Sequence, residues 1–533
     1  MTDLETLMEE HHWADKIAAK LIKIHPEVKK FVCAAGISPS GVVHIGNFRD
    51  IITSELVYRA LKDKGYDAEL IFSWDDFDRL RKVPQGIPES FSQYLGMPLS
   101  EIPDPYKCHA SYAEHFEADF EEAVPQLGIK ARFIRQSKQY GKNMYYEEIK
   151  IAMQKRREID KILAKFRTKD VKTAKDTGDN YYPLQVYCSE CRKSTTTKIT
   201  HYDGEDKITY SCSCGHSETV DIFKRNIGKL EWKVDWAMRW KYECVAFEPG
   251  GEDHATPGGS YSVAKIIADK IFEIKPPYFQ GYGFIGVEGI SKMSGSKGTG
   301  ITPKELLRIY EPELLRWLFT RANPERALTL FFSSEIIRQY DEFDRAVVAY
   351  HEKNLSLQEK RAIDFARLAQ NKPLPKAMPP FRQAASFGQV VQGNFRELKK
   401  IYERLGETYD DAMLKQRLEK SQNWVARFAP ELMIKVRGEP NSCYYYRLTN
   451  EEKEQIDTLR DGMTNHWDLQ DLTSFVYNIP KKAGMSEDDK KKAQRNFFKN
   501  VYQLLIGTGT GPRLPIFLLA LGKDRARKLL SYQ

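Results

Sequence analysis

The residues best placed to do chemistry stand in two short stretches far apart in the chain. The first, "AAGISPSGVVHIGN" at 34–47, leaves an apolar run (Phe31 to Ala35) that reads as a buried strand. It turns through Gly36, Pro39, Ser40 and Gly41 and opens a helical pattern at about Val43. A strand-to-helix turn gathers unpaired backbone N–H groups and the positive end of the helix dipole at one point, which suits a phosphate chain. His44 and Asn47 share a face of the first helical turn and can both donate hydrogen bonds there, while Gly46 leaves room for a flat ring such as adenine. In the second stretch, "GISKMSGSKGTG" at 289–300, Lys292 and Lys297 flank Ser294, Gly295 and Ser296. Two lysines on a Gly/Ser loop can follow phosphates as charge moves in a displacement, stabilising mainly the transition state. Alone, the first stretch reads as a turn capped by Ser40 with a surface histidine, and the second as a solvated loop. Together they are a rare pair.

A third signal is metallic. Cys188-x2-Cys191, then Cys212-x-Cys214 after twenty residues, is close to a four-cysteine zinc ribbon, with His216 as an alternative ligand because the second pair is tight. Zinc there would be structural, four protein ligands leaving no open position. Cys33, Cys108, Cys244 and Cys443 are scattered and read as buried bystanders. The aspartates of "DDFDR" at 75–79 are expected to pair with Arg79, Arg81 and Lys82, which follow at once.

These residues need a scaffold. A chain of 533 residues exceeds a single core and calls for two to four domains. Its 41% hydrophobic and 12% aromatic content is that of a globular protein. Residues 28–95 alternate short apolar runs with a helical stretch, as a βαβ unit does, so a parallel sheet is expected. Residues 111–170 are charged at helical spacing, 181–222 form a small β-rich insert, and sheet signals return near Val245 and at "PYFQGYGFIGV". From Pro303 the chain reads as helical, interrupted by "NKPLPKAMPP" at 371–380. The acidic N-terminal stretch is unlike a signal peptide, and no apolar run approaches a membrane span, so a cytoplasmic protein with no membrane partner is expected. A net charge of +8 permits a polyanionic partner without demanding one. Near the C-terminus Phe475, Tyr477, Phe497, Phe498 and Tyr502 lie among basic residues, which suits either contact with an unpaired nucleic-acid loop or the core of a helical bundle.

"HIGN" at 44–47 and "KMSGSK" at 292–297 resemble the class I aminoacyl-tRNA synthetases. "SPSGVVHIGN", "DDFDRLRKVP", "EWKVDWAMRW" at 231–240, "GEDHATPGGSY" at 251–261 and "GTGTGPRLPIFLLALGKD" near the C-terminus narrow the likeness to the class I lysyl-tRNA synthetases. Asn47 replaces the last histidine of the general signature, and Gly295 stands where its second lysine would be, with Lys297 displaced. The resemblance implies an α/β fold: a doubly wound, Rossmann-like catalytic domain over 1–300 with a zinc-bearing insertion at about 95–230, a helical connecting domain over 301–370 and an all-α anticodon-binding domain over 371–533. It implies attachment of L-lysine to tRNA(Lys) through a lysyl-adenylate, with ATP and Mg²⁺ as substrate. Ser40, His44, Gly46, Asn47, Lys292, Met293, Ser294, Ser296 and Lys297 would bind ATP, and His44, Asn47, Lys292 and Lys297 would be catalytic. For lysine, Gly36 and Ser38 would hold the α-amino group, Trp232 would wall the methylene stem, Asp235 would pair with the terminal ammonium, and His254 would touch the amino acid. Trp236 and Trp240, at i+4 and i+8 from Trp232, read as core. A nucleotidylyltransferase would need neither the insert nor the helical annex. A non-catalytic RNA-binding protein would leave the paired ATP signatures unexplained.

Overall fold

The computed structural model describes residues 11–166, 178–288, 300–369, 373–463 and 469–532. The chain divides into two compact units, one comprising Met1–Leu307, Pro312–Leu330 and Lys353–Pro373, the other Arg308–Glu311, Phe331–Glu352 and Leu374–Gln533. The stretch expected as a connecting domain, 301–370, is therefore shared between the two units.

The first unit is built on a five-stranded parallel sheet: β1 (Lys30–Ile37), β2 (Asp67–Trp74), β3 (Arg132–Arg135), β9 (Val245–Gly251) and β10 (Tyr278–Tyr282), in the spatial order β10-β9-β1-β2-β3. The chain builds outward from β1 to β3, then returns to the other side of β1 to add β9 and β10. The sheet order thus reverses between β1 and β9, and ligands of doubly wound sheets bind at the carboxyl ends of the strands beside such a switch point. β1 is apolar on both faces because both are covered, Phe31 to Ala35 being buried in succession.

The Ile45–Asp63 helix, which follows β1, has little amphipathicity because it too is buried nearly all round. Its buried polar residues each have a partner. Ser54 donates to the Ala34 carbonyl at 2.8 Å, Arg49 to the carbonyls of Pro324 and Arg326 at 2.6 and 2.8 Å, and Glu55 accepts from the buried Arg316 at 2.9 Å. A polar residue inside a helix at such burial is tolerated only when so satisfied.

The insert follows β3. After helices over 136–164, strands β4 (Leu184–Val186) and β8 (Gly228–Leu230) pair antiparallel and enclose a three-stranded meander, β5 (Thr197–Tyr202), β6 (Lys207–Cys212) and β7 (Ser217–Asp221). β11 (Ile285–Val287) and β12 (Leu328–Leu330) form a separate parallel pair.

The second unit is helical. Phe497, Tyr502, Phe475 and Phe498 lie in or against its hydrophobic core, so these aromatics are structural rather than presented to a nucleic acid. Arg417, wholly buried, makes a paired contact with Glu311 at 2.6 and 3.0 Å and with Asp344 at 2.8 and 3.0 Å, and lies 4.7 Å from the centre of the Tyr340 ring. Among the described residues no helix is long and apolar enough to cross a membrane. Replacing Arg417 by Ala leaves the buried Glu311 and the half-buried Asp344 without their cation. The variant should lose about 3–5 kcal/mol in the unfolding transition of this unit; a loss below about 1 kcal/mol in urea titration would contradict the assigned role.

Candidate functional site

The first signature sits where the sheet opens. β1 ends at Ile37, and the chain turns with His44 as the N-cap of the next helix, in extended conformation (φ −89°, ψ 169°), in place of the expected Ser40 cap. Asn47 accepts the His44 backbone N–H at 3.1 Å through Oδ1, leaving its Nδ2 to donate elsewhere. The Ser40 carbonyl is held by the buried Tyr112 hydroxyl at 3.0 Å. Burial lowers the His44 pKa, so the ring is neutral at physiological pH, and among the described residues its buried Nδ1 has no hydrogen-bond partner. A neutral imidazole beside a helix N-terminus donates or accepts without adding charge. Lys292, Met293, Ser294, Ser296 and Lys297 lie outside the described residues. The chain just beyond them does reach this turn: the Ile45 N–H donates to the Ile301 carbonyl at 2.8 Å. A Cβ on Gly300 would stand 2.7 Å from that of His44, so only glycine fits so close.

Beside the turn, at the carboxyl ends of β1, β9 and β10, lies a cavity of about 80 Å³. Gly36, Trp232 and His254 line it, as expected; Asp50, Glu248 and Tyr282 were not foreseen. Gly36 is required because a Cβ there would lie 2.8 Å from the Ser73 carbonyl oxygen. Its N–H donates to Asp50 at 3.0 Å, and the Tyr282 hydroxyl bonds the same carboxylate. Burial pushes the Asp50 pKa up to about 8, the Gly36 and Tyr282 hydrogen bonds opposing it and the charge of Glu248 adding to it. Burial likewise raises Glu248, whose carboxylate accepts the Trp240 indole N–H at 2.6 Å. Two buried carboxyls, both shifted upward, thus face one small cavity. Trp232 stacks on Trp236 at 5.0 Å, and Trp236 meets the His254 ring edge-on at 5.6 Å. Trp236 and Trp240 are buried as expected, though Trp236 also faces the cavity. Ser38 lies just beyond the end of β1.

Asp235 is placed differently. It is fully buried, bonded by the Tyr140 hydroxyl and by Arg239 at 2.8 Å, with Lys229 at 3.6 Å. Arg239, one helical turn on, reaches the cavity wall, binding Asp75 at 2.9 Å and Ser73 at 3.0 Å, its guanidinium 5.0 Å from the Trp232 ring centre. Burial pushes Asp75 up, but Arg239 and Lys229 outweigh it and hold the carboxylate ionised. Asp78 pairs with Lys229 and Asp76 with Ser137. The "DDFDR" aspartates thus find partners distant in sequence, Asp75 and Asp78 taking cations, rather than Arg79, Arg81 and Lys82, because the end of β2 points into the interior between the insert and the Trp232–Tyr242 helix.

Two further clusters have ligand geometry. The sulfurs of Cys188, Cys191, Cys212 and Cys214 converge, with Cys188–Cys214 at 3.7 Å and Cys191–Cys212 at 3.6 Å; His216 is not among them. Asp104, Cys108, His109 and His115 converge as well: the Cys108 sulfur lies 3.2 Å from an Asp104 oxygen, 3.1 Å from His109 Nδ1 and 3.2 Å from His115 Nδ1. Ligands at zinc distances from a common tetrahedral centre stand about 3.3–3.8 Å apart; the cysteine set has that spacing, and the Asp104 set converges slightly closer than it. Cys108 is therefore no buried bystander. It is exposed, as are Cys244 and Cys443, and only Cys33 of the four is buried. The D-x3-C-H-x5-H spacing was the signal for this second set.

The family model described as "tRNA synthetases class I (K)" matches residues 11–400. The chain is similar to the lysine–tRNA ligases of Streptomyces coelicolor (37% identity, 97% of each chain covered), Pyrococcus horikoshii (36%, covering 98% of this chain and 99% of the other) and Treponema pallidum (33%, 98% of each). A family model spanning most of the chain and relatives collinear with it from end to end agree: the chain belongs to the lysyl group of the class I tRNA synthetases.

Proposed function

We propose that this chain joins L-lysine to tRNA(Lys) using ATP. A lysine carboxylate oxygen attacks the α-phosphorus and the bond to the bridging oxygen breaks, releasing pyrophosphate and leaving lysyl-adenylate. A terminal ribose hydroxyl of the tRNA then attacks the lysyl carbonyl, and AMP departs. The observation that carries this reading is the cavity holding Asp50, Glu248 and Tyr282 directly beside the His44 helix start. The protein supplies position and charge compensation rather than a covalent intermediate. His44, Asn47 and Ser40 bind phosphate and ribose oxygens, Gly46 admits the adenine, Lys292 and Lys297 with Met293, Ser294 and Ser296 hold the departing pyrophosphate, and Mg²⁺ arrives with ATP. Gly36 and Ser38 receive the α-amino end, Trp232 and His254 flank the stem, and the Asp50 carboxyl ionises to meet the ammonium charge, with Glu248 beside it. Asp235 serves as a positioning residue, orienting Arg239 behind Trp232. Zinc occupies the Cys188/Cys191/Cys212/Cys214 set and the Asp104/Cys108/His109/His115 set as a structural ion, the helical second unit reads the anticodon, and the enzyme works in the cytoplasm.

Lysine-dependent exchange of pyrophosphate into ATP, run with tRNA present, tests the reaction; no exchange with lysine, or equal exchange with other amino acids, would refute it. His44→Ala and Lys297→Ala should each lower kcat by roughly 10²-fold with KM for lysine little changed. Asp50→Asn should instead raise KM for lysine by about 30-fold or more and leave KM for ATP alone, since it removes one partner of a buried charge pair.

The same variant has a stability signature. The native state keeps on Asp50 a proton that the unfolded chain loses between its ordinary value of 3.8 and the native value of about 8. Native binding of more protons means that stability falls as pH rises through that window. Asp50→Asn should flatten this fall; an unchanged profile of melting temperature against pH would contradict the buried, proton-holding carboxyl.

Metal analysis of the purified protein should find about two zinc ions per chain. The double variant Cys188→Ser, Cys191→Ser should lose one and His109→Ala, His115→Ala the other. Unaltered zinc content in either would refute that set.

A further inference from the structure

We infer that Phe284 is a stacking platform for a base in the unpaired acceptor end of the tRNA, an assignment that rests on the charging reaction proposed above. Phe284 is 81% exposed, the most exposed large hydrophobic side chain among the described residues. It is not in a loose segment. It stands in the two-residue connection between β10 and β11, and its carbonyl accepts the Leu328 N–H at 3.2 Å at the head of the β11–β12 pair. On its other side Gly283 packs backbone to backbone: its N–H donates to the Pro324 carbonyl at 2.9 Å, and a Cβ there would lie 2.5 Å from the Glu325 carbonyl oxygen. The 324–326 turn is fixed in its own right by the buried Arg49 guanidinium.

An aromatic ring held in water by a braced backbone pays no ordering cost when a flat partner arrives. Core packing does not explain its place, since among the described residues nothing covers it. Its position in the chain indicates the partner. Tyr282, two residues earlier, lines the cavity in which the lysyl group is activated, and two residues of extended chain span only about 7 Å. The terminal ribose must come to that cavity, so the unpaired nucleotides behind it pass this surface. Unpaired bases are held by aromatic stacking together with cations on the backbone phosphates. The cation is present: Arg326, in the turn that braces Gly283, is exposed, while its acidic neighbour Glu325 accepts from Gln280 at 3.2 Å.

The test is steady-state charging of tRNA(Lys) by Phe284→Ala, Phe284→Leu and Phe284→Trp, with wild type as control. Phe284→Ala and Phe284→Leu should raise KM for tRNA about tenfold, the effect of losing one stacked base, and Phe284→Trp should restore it. KM for ATP and the melting temperature should not move. Arg326→Gln should make the dependence of log Kd for tRNA on log salt shallower by about one. Failure of wild type to charge tRNA would dispose of the assigned reaction instead. With wild type active, an alanine variant within twofold of wild type, rescue by Leu as good as by Trp, or a rise in KM for ATP in place of tRNA would overturn the platform, the last by giving the ring to the adenine of ATP.

Discussion

The catalytic unit depends on a knot of buried charge. Lys229 and Arg239, 4% and 7% exposed, are shared among Asp75, Asp78 and Asp235. Each of these groups would be prohibitively costly alone in a protein interior, and together they hold only in a geometry where every charge meets its partners. That geometry joins three parts of the chain: the end of β2, the last strand of the insert, and the helix carrying the tryptophans. Burial favours loss of the proton from Lys229 and Arg239, but the surrounding carboxylates outweigh it and raise both. One consequence is local: Arg239 is fixed against Trp232, so the cavity wall is set before any ligand arrives.

The cavity itself is made by topology. Reversing the strand order between β1 and β9 leaves the carboxyl ends of both strands open at one place, and the helix after β1 starts there. Anion and cation sites then come from different sources. In the proposed reading the turn at 38–44 meets phosphate, whereas the cation side rests on Asp50, whose pKa burial raises to about 8, with Glu248 raised in the same direction beside it. A substrate carrying ammonium charge and a nucleotide carrying phosphate charge can therefore lie side by side without either being attracted to the other's place.

Much of this was legible in the sequence. Strand, glycine turn and helix at 30–63 follow from local pattern, as do the parallel sheet, the β-rich insert, the four converging cysteines and the helical second half. What was not legible lies in long-range pairing. "DDFDR" offers cations four to seven residues from Asp75, yet its partners come from Lys229 and Arg239, more than 150 residues on, because the end of β2 points inward. Asp235 has the sequence context of a substrate contact, but helical phase turns it beneath the wall and presents Arg239. Asp50 was overlooked because a carboxylate in a helix normally faces water; here the helix is covered on nearly every side. The Asp104 cluster hid because its ligands are of three kinds and spread over twelve residues, unlike a paired-cysteine ribbon.

The central claim is that the cavity beside His44 binds the ammonium charge of lysine by ionising a carboxyl that holds its proton when empty. Calorimetric titration of the full-length protein with lysine at pH 7, in buffers of differing ionisation enthalpy, measures this directly. The account predicts release of close to one proton per lysine bound, declining as the pH is raised past about 8, where the Asp50 proton is already lost. Binding with no proton release at pH 7, or release that persists unchanged at pH 9.5 (roughly thirtyfold beyond the titration), would contradict it.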